Sequence, residues 1–197
     1  WSRLEELRHL KELVIWGAPD IDSNLVVIGQ LNNLRSLHLW TLPVTDAGIA
    51  HLRGLDHLVT LDLRGSRISD AGLGALTSMP ALEQILLDNT RVTDAGLVHV
   101  AAISRLRALS LNGTTVPDRG IPRLGGLANL DQLSLNSTQI TDDALAHIGS
   151  MSSLTWLEVS STKISDRGLG YLTQLTELTV LHLRDTTVTD SGIRLLT

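Results

Sequence analysis

The segment LRALSLNGTTV (106–116) decides the fold of this chain. Its first residue belongs to a series of leucines that recur every 24 residues along the sequence: Leu10, Leu34, Leu58, Leu82, Leu106, Leu130, Leu154 and Leu178. A fixed period of this length is typical of a repeat architecture. We therefore divide the chain into eight repeats and number the positions of each repeat from its leading leucine.

Two hydrophobic periods lie inside each repeat. Positions 4 and 6 are apolar in alternation, as in Leu109 and Leu111, whereas positions 16, 19 and 22 have helical spacing, as in Leu97, Val100 and Ile103. Alternation predicts a strand, and the wider spacing predicts a helix. One repeat buries too little apolar surface to fold alone, so stacked repeats and a parallel sheet are expected.

The pattern Leu-x-x-Leu-x-Leu-x-x-Thr-x-Val resembles the leucine-rich repeat consensus, with Thr at position 9 where that family usually has Asn. Thr93–Leu97 (Thr-Asp-Ala-Gly-Leu) is similar to a subtype known from bacterial proteins and F-box substrate receptors. The resemblance implies an α/β fold: a right-handed solenoid, or horseshoe, with a parallel sheet on the concave face and helices on the convex face. It also implies that the concave face binds a protein.

The periodicity predicts one domain over residues 1–197, in which residues 1–9 are the tail of a preceding repeat and the last repeat is incomplete. Both ends cut through a repeat, which favours a segment of a longer protein. The alternative is self-association, in which another copy covers uncapped ends.

Composition excludes several functional classes. The chain has no Cys, which rules out disulfides, thiolate metal sites and thiol nucleophiles. Its net charge of −5 argues against nucleic acid and anionic membranes as partners. No apolar run approaches the roughly 18 residues needed to span a bilayer, and the N-terminus has no signal-peptide pattern, so a cytoplasmic location is expected. Since no catalytic or phosphate-binding motif occurs, we predict neither enzymatic activity nor a cofactor or metal.

Polar residues also recur. Position 13 is Asp in every repeat, position 12 is Thr or Ser in six, and position 15 is Gly in six. Position 12 is expected to cap the helix, and Asp to complement its dipole. A calcium ladder is the weaker alternative, because one Asp per turn supplies too few oxygens. Close packing between turns would explain the Gly, and the hydroxyl at position 9 is expected to bond to the next turn.

Positions 5 and 7 are expected on the concave surface, where Trp16, His38, Trp40 and Arg64 come together. Aromatic residues beside Arg are typical of interface hot spots, although large side chains could equally cover an end of the array. Asp62, Arg67, Asp88 and Arg91 follow with alternating charge, which favours either binding or salt bridges between turns. The predicted partner-binding residues are Trp16, His38, Trp40, Arg64, Arg67, Asp88 and Arg91. Trp156, with Glu158 and Lys163, is a weaker candidate.

The sequence thus predicts a non-catalytic scaffold that presents a concave surface to a protein partner. The alternative that the resemblance implies is the recognition or regulatory segment of a larger enzyme. A ubiquitin ligase subunit or a receptor-like kinase would be examples, with the catalytic part outside this chain.

Overall fold

The computed structural model describes residues 1–196. One parallel sheet runs through it, and each of its eight strands is hydrogen-bonded to the next in chain order. Every residue of the first seven strands pairs with the residue one repeat further on, as Leu61 pairs with Ile85. The strands are β1 (Glu12–Val14), β2 (Ser36–His38), β3 (Thr60–Asp62), β4 (Gln84–Leu86), β5 (Ala108–Ser110), β6 (Gln132–Ser134), β7 (Trp156–Glu158) and β8 (Val180–His182). The predicted solenoid with a parallel sheet is confirmed.

The opposite side carries short helices. The α-helices are α1 (Ile21–Ile28), α2 (Asp46–Ile49), α3 (Asp70–Leu73), α4 (Leu97–Val100), α5 (Asp142–Ile148), α6 (Asp166–Leu169) and α7 (Asp190–Ile193). The 3-10 segments are Ser2–Glu6, Ala50–Leu52, Leu76–Ser78, Asp118–Gly126, Gly170–Gln174 and Arg194–Leu196. The fifth repeat has only the 3-10 form, with Pro122 inside it. Proline lacks the N–H that an α-helical turn requires.

The core lies between the sheet and the helices. Leu109 and Leu133, at position 4, are 2% and 0% exposed. This confirms the prediction that position 4 of each of these strands faces the core. In the last repeat Leu181 and Leu183 are only partly buried, since no further repeat covers them within the described chain. No helix among residues 1–196 is long and apolar enough to cross a bilayer.

The aspartate at position 13 joins neighbouring repeats. Its carboxylate accepts hydrogen bonds from the backbone N–H and the hydroxyl at position 12 of the next repeat, as Asp142 does from Ser165 at 2.8 and 2.6 Å. We call this arrangement the aspartate clamp. Clamps are formed by Asp22 with Thr45, Asp46 with Ser69, Asp70 with Thr93, Asp118 with Thr141, Asp142 with Ser165, and Asp166 with Thr189.

Helix capping by position 12 is only part of its role. The hydroxyls of Thr45, Thr93, Thr141 and Thr189 accept a backbone N–H two residues on, at 3.2–3.3 Å. The serines at this position, Ser69 and Ser165, make no such bond. The bond to the preceding Asp is shorter in every case, so the residue serves the contact between repeats first.

The clamp also explains the glycine at position 15. A Cβ on Gly168 would collide with the Asp142 carboxylate and lie 2.9 Å from Leu145 Cδ1. Gly72 and Gly96 face the clamps of Asp46 and Asp70 in the same way. Close packing between turns, as predicted, therefore excludes a side chain there, and the neighbour that excludes it is the clamp carboxylate.

The expectation for position 9 was wrong. The Thr114 hydroxyl donates to the carbonyl of Leu111 in its own repeat, at 2.6 Å, and not to the next turn. Thr90, Thr138 and Thr162 repeat this bond. The preceding residue, at position 8, has a left-handed backbone in every repeat, with φ between 53° and 69°. From the fourth repeat onward, the hydroxyl thus closes a tight turn directly after the strand.

Candidate binding site on the concave sheet

The sheet face opposite the core carries the side chains of positions 3, 5 and 7. Successive strand side chains point to opposite faces, so these positions face away from the buried leucines. Parallel strands lie about 4.8 Å apart, which brings equivalent positions of neighbouring repeats into contact. The composition of positions 5 and 7 therefore decides what this surface can bind.

Four residues on β2, on β3 and just after them form a compact group, the Trp40 cluster: His38, Trp40, Asp62 and Arg64. The His38 and Trp40 rings meet edge to face, with centroids 5.9 Å apart. The Arg64 guanidinium carbon lies 6.0 Å from the Trp40 ring centroid, within the range of a cation–π contact. The structure thus brings together three of the predicted anchors, His38, Trp40 and Arg64.

Asp62 organises the Trp40 cluster from below. It is 0% exposed, although position 5 was expected on the surface. Both of its carboxylate oxygens accept from Arg64, from Nε at 2.9 Å and from Nη2 at 2.7 Å. His38 Nδ1 lies 3.6 Å from the same carboxylate, and His38 Nε2 lies 3.9 Å from Glu12. A buried charge needs such partners, so Asp62 fixes the side chains above it.

Sequence reasoning placed Asp62 among the charged candidates but missed its burial. The available signal was Asp two residues before Arg on one strand face, where the two side chains are neighbours. The hydrogen bond that Arg64 donates to Asp62 raises the pKa of Arg64, and the nearby Asp88 carboxylate adds to the effect. Arg64 therefore remains a fixed cation.

Trp16, at position 7 of the first repeat, is the most exposed tryptophan of the described chain. Its side chain is 73% exposed, and the described residues include no ring contact between it and Trp40. It lines an open depression of about 500 Å³ together with Trp1, Pro19 and Asn24. The sequence predicted that Trp16 and Trp40 would stand side by side; within the described residues the structure shows no contact between their rings.

Within residues 1–196 the charged residues Asp62, Arg64, Arg67, Asp88 and Arg91 form no salt bridges with one another between turns. Arg64 pairs with Asp62 inside its own repeat. Arg67 and Arg91 are exposed, and no ion pair reaches either within residues 1–196. Asp88 accepts from the Ser110 hydroxyl and from the Asn112 backbone N–H, the latter at 2.9 Å. The binding alternative for this group thus stays a prediction, whereas the salt-bridge alternative is not observed.

From the fourth repeat onward, position 7 forms a polar ladder. Each side chain accepts the backbone N–H at position 7 of the next repeat: Asp88 from Asn112 at 2.9 Å, Asn112 from Asn136 at 2.7 Å, Asn136 from Ser160 at 2.7 Å, and Ser160 from Arg184 at 3.1 Å. These side chains are used for joining repeats. The position 7 side chains of the fourth to seventh repeats are therefore small, polar and already hydrogen-bonded to the neighbouring repeat.

A second aromatic group stands on β7 and β8. Trp156 Nε1 donates to Glu158 at 3.0 Å, and His182 Nδ1 lies 3.1 Å from the same carboxylate oxygen. The Trp156 and His182 rings meet edge to face at 5.5 Å. Asn136 donates to the other Glu158 oxygen at 2.7 Å. Sequence reasoning singled out Trp156 and Glu158 but missed His182, since nothing in one repeat reveals its neighbour's side chain.

Among the described residues no group of three or more His, Asp or Glu side chains could hold a metal ion. The clamp aspartates bond to hydroxyls and backbone N–H groups instead. The surface therefore offers hydrogen bonding, aromatic contact and fixed charge.

Comparison with known proteins places the chain among repeat proteins. A family model described as Leucine Rich repeat matches residues 55–76 and 174–196. The structure is similar to internalin C2 of Listeria monocytogenes, with a TM-score of 0.78, 28% identity, and coverage of 98% of this chain and 80% of that one.

Two further solved structures share the fold. The internalin inlF of Listeria monocytogenes has a TM-score of 0.63 at 18% identity, with 100% of this chain and 68% of that chain covered. A leucine-rich repeat protein of Leptospira interrogans has a TM-score of 0.66 at 20% identity. The match covers 100% of this chain and 49% of the Leptospira protein. This chain therefore spans about half the length of the Leptospira protein. No curated protein matches the chain by sequence.

Proposed function

The chain is a leucine-rich repeat protein, and we propose that it binds a protein partner on its concave sheet, with the Trp40 cluster as the main anchor. Leucine-rich repeat folds are typically protein-binding scaffolds and generally non-catalytic.

The observation that carries the proposal is the order built into the Trp40 cluster. Hot spots are enriched in Trp and Arg, and they cost less to engage when their side chains are already fixed. Trp40 is held between the His38 ring and the Arg64 guanidinium, and Asp62 holds both of these from below. Little side-chain entropy is therefore lost when a partner docks.

The rest of the concave surface supports the same location. In the polar ladder the side chains of Asp88, Asn112 and Asn136 already bond to the next repeat. Trp16, by contrast, is the most exposed of the large hydrophobic residues that the structure describes. Exposed aromatic surface beside a prearranged cation is concentrated on the first three repeats, where we place the contact.

The test compares what the immobilised protein retains from an extract of its own organism. Wild type, Trp40→Ala and Trp16→Ala are compared, with Val98→Ala as the matched control, because Val98 is 55% exposed on α4 outside the sheet. We expect proteins retained by wild type and by Val98→Ala to fall at least tenfold on Trp40→Ala.

Trp40 is half-buried, so its variant must first show an unfolding transition close to that of wild type. Trp16→Ala provides a second measurement, in which a loss of binding does not reflect a loss of folding, because the Trp16 side chain is 73% exposed. If both Trp variants retain the same proteins in the same amounts as wild type, the proposed location is wrong.

A further inference from the structure

We propose that the partner segment on the Trp40 cluster is acidic, with aspartate or glutamate side chains that bind Arg64, Arg67 and Arg91, which we call the arginine group. This inference rests on the proposed function, because it names the chemistry of the ligand for that same surface. The inference is based on which N–H donors of the three guanidinium groups have an acceptor and which have none within residues 1–196.

Arg64 uses only one edge of its guanidinium. A guanidinium has five N–H donors, and Nε and Nη2 of Arg64 donate to Asp62 at 2.9 and 2.7 Å. Its Nη1 hydrogens have no acceptor within residues 1–196, and the side chain is 45% exposed. The geometry therefore leaves a rigid, solvent-facing edge whose donors suit the oxygens of a second carboxylate.

Arg67 and Arg91 add two cations in the loops that follow β3 and β4. Both occupy position 10, and their backbone N–H groups donate to Val44 and Ile68 at 2.9 Å. This bonding holds them in equivalent places on neighbouring repeats, about one strand spacing of 4.8 Å apart. Both side chains are exposed, and neither has an ion pair in the described part of the chain.

Nearby acids only partly offset the arginine group. The Asp62 carboxylate is paired with Arg64, and the Asp88 carboxylate accepts hydrogen bonds from Ser110 and Asn112. Asp20 and Asp22 line a groove together with Arg67, and Asp22 is occupied by its clamp to Thr45. Within residues 1–196 no ion pair joins Asp20 or another carboxylate to Arg67 or Arg91, so both arginines remain available to a ligand.

The interleaved acids also decide which kind of anion fits. Asp62 and Asp88 would repel a dense row of phosphates, and the whole chain carries a net charge of −5. Isolated carboxylates can approach one arginine at a time. Because Trp40 lies beside Arg64, the best ligand is a peptide segment with an acidic residue next to an apolar one.

The test selects random-sequence peptides on the immobilised protein and measures the affinity of the selected peptides by titration. We expect enrichment of Asp or Glu adjacent to an apolar residue. The double variant Arg67→Glu and Arg91→Glu should weaken these peptides at least tenfold and shift a new selection toward Lys or Arg. The matched control is Arg53→Glu with Arg105→Glu, which makes the same charge change at two exposed arginines outside the concave face.

The outcomes separate this inference from the proposed function. Peptides that lose affinity on Trp40→Ala but show no acidic enrichment overturn the acidic ligand and leave the concave contact standing. Peptides that bind Trp40→Ala and the Arg67, Arg91 double variant as tightly as wild type overturn both, as does a selection without enrichment. Equal weakening by the control pair would show a general charge effect and would also overturn the inference.

Discussion

Two kinds of junction between neighbouring repeats differ at one pair of residues. At six junctions the position 13 aspartate clamps the backbone N–H and hydroxyl of the next repeat, as Asp46 clamps Ser69. Between the fourth and fifth repeats, position 12 is Pro117, which has neither group. Asp94 instead accepts from Arg119, from Nε at 2.9 Å and from Nη2 at 3.0 Å.

The difference shows how the array distributes its stability. A clamp satisfies a backbone N–H with a carboxylate, and removing the carboxylate leaves a polar group unpaired. The Asp94–Arg119 pair is largely exposed, since the Arg119 side chain is 77% exposed, and exposed ion pairs contribute little. We therefore expect the fourth junction to be weaker than the clamped junctions, and the bond that its position 13 aspartate makes to be more sensitive to salt than a clamp.

The largest effect is expected from removing a full clamp. Asp142→Ala leaves the Ser165 N–H and hydroxyl without their acceptor, and should cost about 3 kcal/mol of unfolding free energy, since bonds to charged groups contribute roughly 1.5–3 kcal/mol each. Urea denaturation measures the change. The neighbour Asp143 is exposed and has only a 3.5 Å contact with Arg167, so Asp143→Ala should cost less than about 1 kcal/mol. Equal losses would show that the clamp has no special role.

A somewhat smaller effect is expected from filling the space behind a clamp. Gly168→Ala places a Cβ against the Asp142 carboxylate and should cost about 2 kcal/mol, a typical value for overpacking. Gly125→Ala is the matched control, because a Cβ there meets nothing within 4 Å. In the Asp142→Ala background Gly168→Ala should cost less, since the colliding group is gone. Strict additivity of the two changes would contradict the contact.

The exceptional junction should respond to a restored clamp. Pro117→Thr supplies both the N–H and the hydroxyl that the other junctions have, so Asp94→Ala should destabilise this variant more than it destabilises wild type. A double-mutant cycle by urea denaturation measures the coupling. Salt provides the second measurement, because screening weakens the Asp94–Arg119 pair far more than a clamp. Absence of coupling would mean that the proline alone does not explain the missing clamp.

The smallest effect is expected in the pH dependence. The Thr189 hydroxyl, followed by its backbone N–H, lowers the pKa of Asp166 below its ordinary value of 3.8. A lowered folded pKa contributes stability above the ordinary value that is lost as pH falls through the folded pKa. Arg119 lowers the pKa of Asp94 in the same direction. Asp166→Asn should therefore be less stable than wild type at neutral pH, with a smaller difference near about pH 3. A difference that stays constant between these pH values would contradict the assignment.

Much of the architecture could be predicted from the sequence, for a specific physical reason. The leucines recur at a constant interval of 24 residues, so one correctly assigned strand fixes the register of all the others. The structure confirms this in the pairing of Leu109 with Leu133. The helical side was predicted less well, because Pro122 and the short segments after each clamp favour 3-10 turns over long helices.

The candidate site was predicted by residue type but not by contact. His38, Trp40 and Arg64 come together as expected, whereas Trp16 does not join them. The burial of Asp62 was missed, and so was His182, whose contacts with Trp156 and Glu158 come from the preceding repeat. A position rule says which face a residue occupies, but it does not say which neighbours cover it.

The amino-acid order alone determined that the chain is a stack of equivalent coils, since the burial of apolar side chains repeats with a period that can be read directly. Only the tertiary structure decided what the polar residues do. Asp22 and its equivalents reach the following coil, Asp94 turns to Arg119, and Asp62 lies beneath Arg64. Hydrogen bonds depend on distances of a few tenths of an ångström, and these are set only when neighbouring coils are packed.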